Sequence, residues 1–462
     1  MKNKIIIATL LFITMFYGCT KGFLEVKPSS NIVQPKTLDD MYGLLENVVF
    51  FQASPGLPIA SSDEFEFIDY KTWQSARKIS ERNAYIWNKD IYGGETDMQD
   101  WSLPYTGIFY ANNVIANIDK IQVTKENNNR WMFAKGWAHF NRAYCYYGLA
   151  TSFCKNYNEA SLSVDLGLPL KLTPNIDDIK KRSSLGETYA QIFDDLQIAE
   201  EMLISAKLPT IDKKNRPSLA AVFALKARMY LNMRQYTKAE QAADACLALH
   251  SSLIDYRTIT LPNATPFPLA NVETIYSTIT VSSYPSSTAT TFNTATRMSP
   301  SVISLYETGD LRFSICFIAA NGGFVMNRNY YGSGLYQFTG LATDEVMLIK
   351  AECAARRGSI DDALSLLNKL RTFRFTNAAY RPLSFNSATE ALNFTLLERR
   401  RELVMRGARW QDLKRLNSEG ANITLTRELN GTNYTLPPND RRYIFPIPDD
   451  EISMGGLIQN ER

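Results

Sequence analysis

The sequence predicts a mainly α-helical protein in which helix–turn–helix hairpins carry long irregular loops and a few short strands. Three observations lead there. Ser218–Arg234 with Thr237–Leu249, and Thr343–Arg357 with Ile360–Arg371, read as two helical hairpins that superpose at an offset of 124 residues. Residues 52–104 and 251–342 lack a helical period; the first is rich in Trp, Tyr, Asp and Gly, the second in Ser, Thr, Pro, Gly, Asn and Tyr. Finally, ERRRELVMRGARWQDLKRL at 398–416 and the two leucines before it set Leu396, Leu397, Leu403, Val404, Trp410, Leu413 and Leu416 about seven, or three plus four, apart. That spacing gives one amphipathic helix with an apolar stripe.

Each element follows in chain order. Leu38–Phe51 is expected as a first helix, with Leu38, Met41, Leu44, Leu45 and Val48 on one face. The irregular 52–104 stretch is long for a compact domain, and such stretches are commonly functional. Within it Tyr85 and Trp87 alternate as a half-buried strand would. A helix follows through Tyr105, Ile108, Phe109, Asn112, Ile115 and Ile118; Asn129–Phe153 and Leu185–Ala206 are the next, joined by a loop carrying Gly167–Leu170. In the two later hairpins Ala227 and Ala239 fall on Ala351 and Ala363, and Tyr236 falls on Ile360. Small residues twelve apart across a turn are the tetratricopeptide pattern, because they let paired helices approach closely. Helical repeats are thus placed at about 129–250 and 343–372, with short strands at Thr274–Val281 and Gly323–Asn327.

The N-terminus reads as a lipoprotein signal. Lys2 and Lys4 precede the apolar run Ile5–Tyr17, which is too short to span a bilayer comfortably. Gly18-Cys19 ends it, so residues 1–18 read as a signal peptide, Cys19 as the acylated residue and 19–37 as a lipidated tether, with an ordinary signal peptide or an uncleaved anchor as the alternative. Residues 38–462 form one domain on this reading.

Composition excludes several function classes. A net charge of +3 implies no polyanionic partner, and no nucleic acid is expected. The basic run at 398–416 fits the same view, because Glu398, Glu402 and Asp412 stand at helical-neighbour spacing to Arg401, Arg406 and Arg415. Only His139 and His250 exist, which leaves little room for a histidine zinc site or triad. His139 reads as a packed core histidine and His250 as a helix C-cap. Gly322-Gly323 and Gly332-Ser333-Gly334 open no phosphate loop and read as turns. The odd set Cys145, Cys154, Cys246, Cys316 and Cys353 is no disulfide framework. Asp63, Glu64, Glu66 and Asp69 cluster in the first irregular stretch, with Asp63, Glu64 and Glu66 the calcium candidates; the plain alternative is a solvated loop edge. No catalytic residue and no cofactor is expected.

Several strings resemble one family, in order along the chain. ERRRELVMRGARWQDLKRL looks like the C-terminal signature of the SusD/RagB family, with Met405-Arg406 in place of a Phe-Glu pair and Leu416 in place of a Trp. Phe23-Leu24-Glu25 with Pro28, WSLPYTGIFYANNVIANID, the Gly167–Leu170 turn, TGDLRF at Thr308–Phe313 and IFPIPDDEISMGGLIQN at Ile444–Asn460 resemble further family segments. Met454-Gly455-Gly456 depart locally from the closing string. The resemblance implies a SusD-like fold and a non-enzymatic outer-membrane lipoprotein facing outward. Such a protein binds a nutrient oligomer, an oligosaccharide or a peptide, and delivers it to a SusC-like TonB-dependent transporter. A tetratricopeptide scaffold for protein assembly and a hydrolase using a paired carboxylate of the 63–69 cluster are the other classes left open. For the ligand face the aromatic residues Tyr70, Trp73, Trp101, Tyr284, Tyr330 and Tyr331 are the candidates, since sugar rings pack their C–H faces on aromatic rings.

Overall fold

The computed structural model describes residues 35–206, 213–261, 267–268, 270–330 and 336–462. Cys19, the tether up to residue 34 and Tyr331 lie outside the described residues. Among those described, nine helices of ten residues or more form the frame: α1 (Gln99–Ile118), α2 (Asn128–Phe153), α3 (Leu185–Ala206), α4 (Leu219–Asn232), α5 (Tyr236–Leu249), α6 (Thr343–Arg356), α7 (Ile360–Thr372), α8 (Ala388–Glu402) and α9 (Arg409–Ser418). Helices α1, α2 and α3 pack side by side, and the α4–α5 and α6–α7 hairpins continue the row to α8.

The repeat is present residue for residue. Helix α4 begins and ends 124 positions before α6, and Tyr236 opens α5 as Ile360 opens α7. Ala227, Ala239, Ala351 and Ala363 are all fully buried, as close helix approach requires. The turns differ at one place. Gly358 turns the second hairpin with φ 88°, whereas Arg234 holds the equivalent left-handed position in the first with φ 62°.

The two irregular stretches, about two hundred residues apart in sequence, form one layer. Ala53–Ser54 pairs in parallel with Ile279–Thr280, and Phe65–Phe67 pairs antiparallel with Thr296–Met298. Phe65, Phe67, Tyr85, Met298, Val302, Phe317 and Met326 make a second core beneath it, separate from the main helical core. Short helices also occur here, at Leu57–Ser61, Tyr70–Ser75 and Ile79–Tyr85. Tyr85 therefore closes a helix, and Trp87 follows with φ 53° and its indole N–H on Ser61 O at 2.9 Å. The expected strand is replaced by a turn, although both rings are core. Leu38–Phe51 likewise splits into Leu38–Leu45 and Val48–Phe51, leaving Val48 exposed.

The 398–416 block is two helices, not one. Helix α8 ends at Glu402, and Met405 (φ 58°) and Gly407 (φ 74°) turn the chain before α9 starts at Arg409. Its charges are also not a solvated face. Arg399, Arg401, Arg415, Glu398, Glu402 and Asp412 are all buried beside Leu403, Val404, Trp410, Leu413 and Leu416. The Glu398–Arg401 and Asp412–Arg415 pairs form as spaced. Glu402 instead meets Arg312 at 2.5 Å and Arg374 at 2.7 Å, and Arg406 pairs with Asp344. Removing one member of a buried pair strands the other charge, so Arg374→Met should lower unfolding free energy by about 3–5 kcal/mol. A urea titration reads this as a lower midpoint at unchanged slope.

Candidate ligand-binding face

The helix Tyr70–Ser75 sits at the edge of the second core and presents two rings to solvent. Asp69 caps it: its carboxylate accepts from Thr72 N at 2.7 Å while Thr72 Oγ1 accepts from Asp69 N at 3.1 Å. The i,i+3 spacing then stacks Tyr70 on Trp73, with centroids 5.4 Å apart and planes at 29°. Trp73 Nε1 donates to Arg82 O at 3.1 Å, which fixes the indole plane. Both rings are half-buried, and Asp69, Lys71, Gln74 and Arg77 around them are exposed. A fixed, part-exposed aromatic pair beside hydrogen-bonding side chains can stack a flat apolar ligand face and bind its hydroxyl rim.

Buried polar groups tie the neighbouring segments together. Glu81 Oε1 accepts from Ser287 N at 2.7 Å and from Ser287 Oγ at 2.9 Å, tying the 79–85 helix to the 286–288 turn. Burial pushes Glu81 up to about 7, and its second oxygen has no partner among the described residues. Beyond that turn Phe292 stands 65% exposed, an aromatic residue that sequence reasoning missed because its neighbours Thr291 and Asn293 carry no distinguishing pattern.

The other expected contact residues are elsewhere. Trp101 is buried edge-to-face against Phe153 at 5.0 Å, because α1 starts at Gln99 and turns it into the helical core. Tyr284 is buried with its hydroxyl on Asp100 Oδ2 at 2.7 Å. Tyr330 is buried against Phe267 and Phe338, bonded to Glu273 and at 3.2 Å to Asp344. A buried tyrosine needs a hydroxyl partner, and these acids supply it. Of the six, Tyr70 and Trp73 alone are at the surface among the described residues.

The calcium candidates are already committed. Arg409 Nε reaches Asp63 Oδ1 at 2.7 Å and Arg400 reaches Oδ2 at 3.1 Å; Arg297 meets Glu66 at 2.8 Å. Glu64 is buried, accepts from Met405 N at 2.9 Å, and is pushed up to about 7 by that burial. These carboxylates hold neighbouring segments and do not converge on a free cation position. A different trio, Glu273, Asp344 and Glu402, brings its oxygens within 4.8 Å of one another. Guanidiniums fill the space: Arg374 lies 2.8 Å from Glu273, Arg312 lies 2.5 Å from Glu402, and Arg406 pairs with Asp344. His139 is buried with Nδ1 2.7 Å from Asp195, and His250 caps α5 with Nε2 2.8 Å from Val272 O. The five cysteines among the described residues are all unbridged.

The protein is a helical-repeat frame carrying a loop-built aromatic shelf. Residues 22–231 match a SusD-like family model described as starch-binding and associating with the outer membrane, and residues 343–462 match the SusD family model. The chain belongs to the SusD/RagB family. No curated protein sequence matches it. Similar solved structures include a SusD superfamily protein from Bacteroides thetaiotaomicron, with TM-score 0.73, 20% identity, and coverage of 92% of this chain and all of the other. Another is a putative sugar binding protein from Bacteroides vulgatus, with TM-score 0.72, 18% identity and coverage of 92% and 99%. Surface glycan-binding protein A from Bacteroides fluxus follows at TM-score 0.69, 20% identity and coverage of 92% and 99%. These likenesses show the fold.

The buried Glu81 gives the face a pH signature. Its folded-state value near 7 lies above an ordinary glutamate's, so the folded state holds a proton that the unfolded chain releases first. Stability contributed by that proton is present below about pH 4.5 and is lost as pH rises towards 7. Glu81→Gln should therefore flatten the fall in stability between about pH 5 and 7 relative to the parent chain. Chemical denaturation at the two pH values checks it.

Proposed function

We propose that this protein is an outward-facing outer-membrane lipoprotein that binds an oligosaccharide and passes it to a SusC-like TonB-dependent transporter. The Tyr70–Trp73 shelf is the observation that carries the binding half of this reading: two part-exposed rings in fixed orientation, flanked by Asp69, Lys71, Gln74 and Arg77. The family match and the sugar-binding and glycan-binding relatives support a carbohydrate ligand. Sugar C–H faces stack on such rings, and the polar rim takes the hydroxyls. Capture and release need no bond-breaking step, so the role is not enzymatic.

Anchoring through acylated Cys19 suits the rest of the chain, since no helix among the described residues is long and apolar enough to cross a membrane. Cys19→Ser should move the protein from the membrane fraction to the soluble fraction and remove the lipid mass seen by mass spectrometry. For the ligand, a glycan array followed by calorimetry should give oligosaccharide binding that Trp73→Ala weakens about five- to tenfold, the equivalent of roughly 1 kcal/mol for one stacked ring. Wild-type binding to no oligosaccharide, or full affinity in Trp73→Ala, would sink this assignment.

A further inference from the structure

A cleft of about 580 Å³ lies away from the aromatic shelf. It opens between the loop after α2, the α4–α5 turn, α9 and the 439–444 segment, and its walls include Asn156, Tyr157, Arg234, Lys414, Asn439 and Tyr443. That volume is in the range of small-molecule sites, and the wall mixes amides, phenol rings and cations.

Two features mark the cleft as built for an anion. Among the described residues neither Arg234 nor Lys414 forms an ion pair. Arg234 Nη2 donates to Tyr157 O at 2.9 Å, and Lys414 Nζ donates to Thr151 O and Cys154 O at 3.0 and 3.3 Å. Arg234 Nη1 is buried without an acceptor. The acids on the wall are already neutralised, Asp165 by Lys155 at 2.7 Å and Asp440 by Arg442 at 2.8 Å. The contrast with the arginines of the 398–416 block is sharp, since Arg399, Arg400, Arg401, Arg406, Arg409 and Arg415 all meet carboxylates.

The second feature is backbone. Arg234 occupies the left-handed turn position that the repeat's other copy fills with Gly358, around which a side chain would meet open space. An arginine there is strained where glycine would be relaxed. Arg234 thus combines a left-handed backbone with an unmet donor at the wall of this cleft.

We propose that this cleft is a second saccharide subsite that takes the carboxylate of an acidic sugar, with Arg234 as its anchor. Arg234 and Lys414 attract the carboxylate, while the amide oxygens of Asn156 and Asn439, whose nitrogens are bound within the protein, suit the ring hydroxyls. Calorimetry on the full chain with D-glucuronate, D-glucose and acetate tests this. Glucuronate should bind at least about tenfold tighter than either control, and Arg234→Gln should weaken it about tenfold or more through loss of charge-assisted hydrogen bonds. Arg234→Gly should lose the same binding yet raise the melting temperature, because the turn gains the residue its backbone prefers. Trp73→Ala should leave glucuronate binding intact, which separates this cleft from the shelf. Equal binding of glucose, equal binding of acetate, unaltered binding in Arg234→Gly, or loss in Trp73→Ala would each overturn the proposal.

Discussion

A network of buried arginine–carboxylate pairs fixes how the segments of this protein meet. Arg312, from the helix Leu311–Cys316, bonds Asp310, Glu398 and Glu402, while Arg374, just after α7, bonds Glu402 and Glu273. Burial works to raise the Glu398 carboxyl, yet Arg312, Arg401 and Arg371 hold it down at about 2. Removing a carboxylate from water costs several kcal/mol unless guanidiniums arrive with good geometry. Arg312 and Arg371 come from segments remote in sequence, so the charge can be buried only when the loop layer, the second hairpin and α8 are all in register. Such pairs add little net stability over a well-packed apolar core. Their effect is to make wrong arrangements expensive.

The same logic extends across the frame. Arg415 joins α9 to Glu352 on α6, Arg399 joins α8 to Asp412 on α9, and Arg228 joins α4 to Glu345 on α6. The break between α8 and α9 then reaches the loop layer. Glu64 accepts from Met405 N at the break, and Asp63 takes both Arg400 and Arg409. The shelf helix follows only a few residues later, so its position is inherited from the family signature through these bonds. The 398–416 segment thus sets where the aromatic shelf stands.

What could be read in the sequence depended on the range of the interactions. The hairpins were legible because alanine spacing and the 124-residue offset are local patterns that packing obeys directly. The 398–416 block was half legible. Glu398–Arg401 and Asp412–Arg415 have the same spacing on a solvated helix as in a buried network; what differs is Arg312, Arg374, Glu345 and Glu352, supplied from distant segments. The break was hidden because Met405, a residue without left-handed preference, takes positive φ beside Gly407. Exposure of aromatics was the least legible. Trp73 and Tyr330 both sit in polar strings, yet Tyr330 is drawn inward by buried Glu273 and Asp344, which sequence does not place beside it.

Inward consumption of charge has a consequence for recognition. Glu66 and Arg297, close to the shelf, also neutralise each other across the strand pair that carries the layer. The shelf therefore presents aromatic faces and a mixed polar rim rather than a strong field of one sign. Long-range attraction to a ligand is correspondingly weak, and contact shape decides what stays. Because Trp73 is already held by Arg82 O, little side-chain freedom remains to be lost on contact. A shallow, rigid, weakly charged shelf favours moderate affinity with ready release, and that is the kinetic character a protein in the proposed capture-and-transfer role needs.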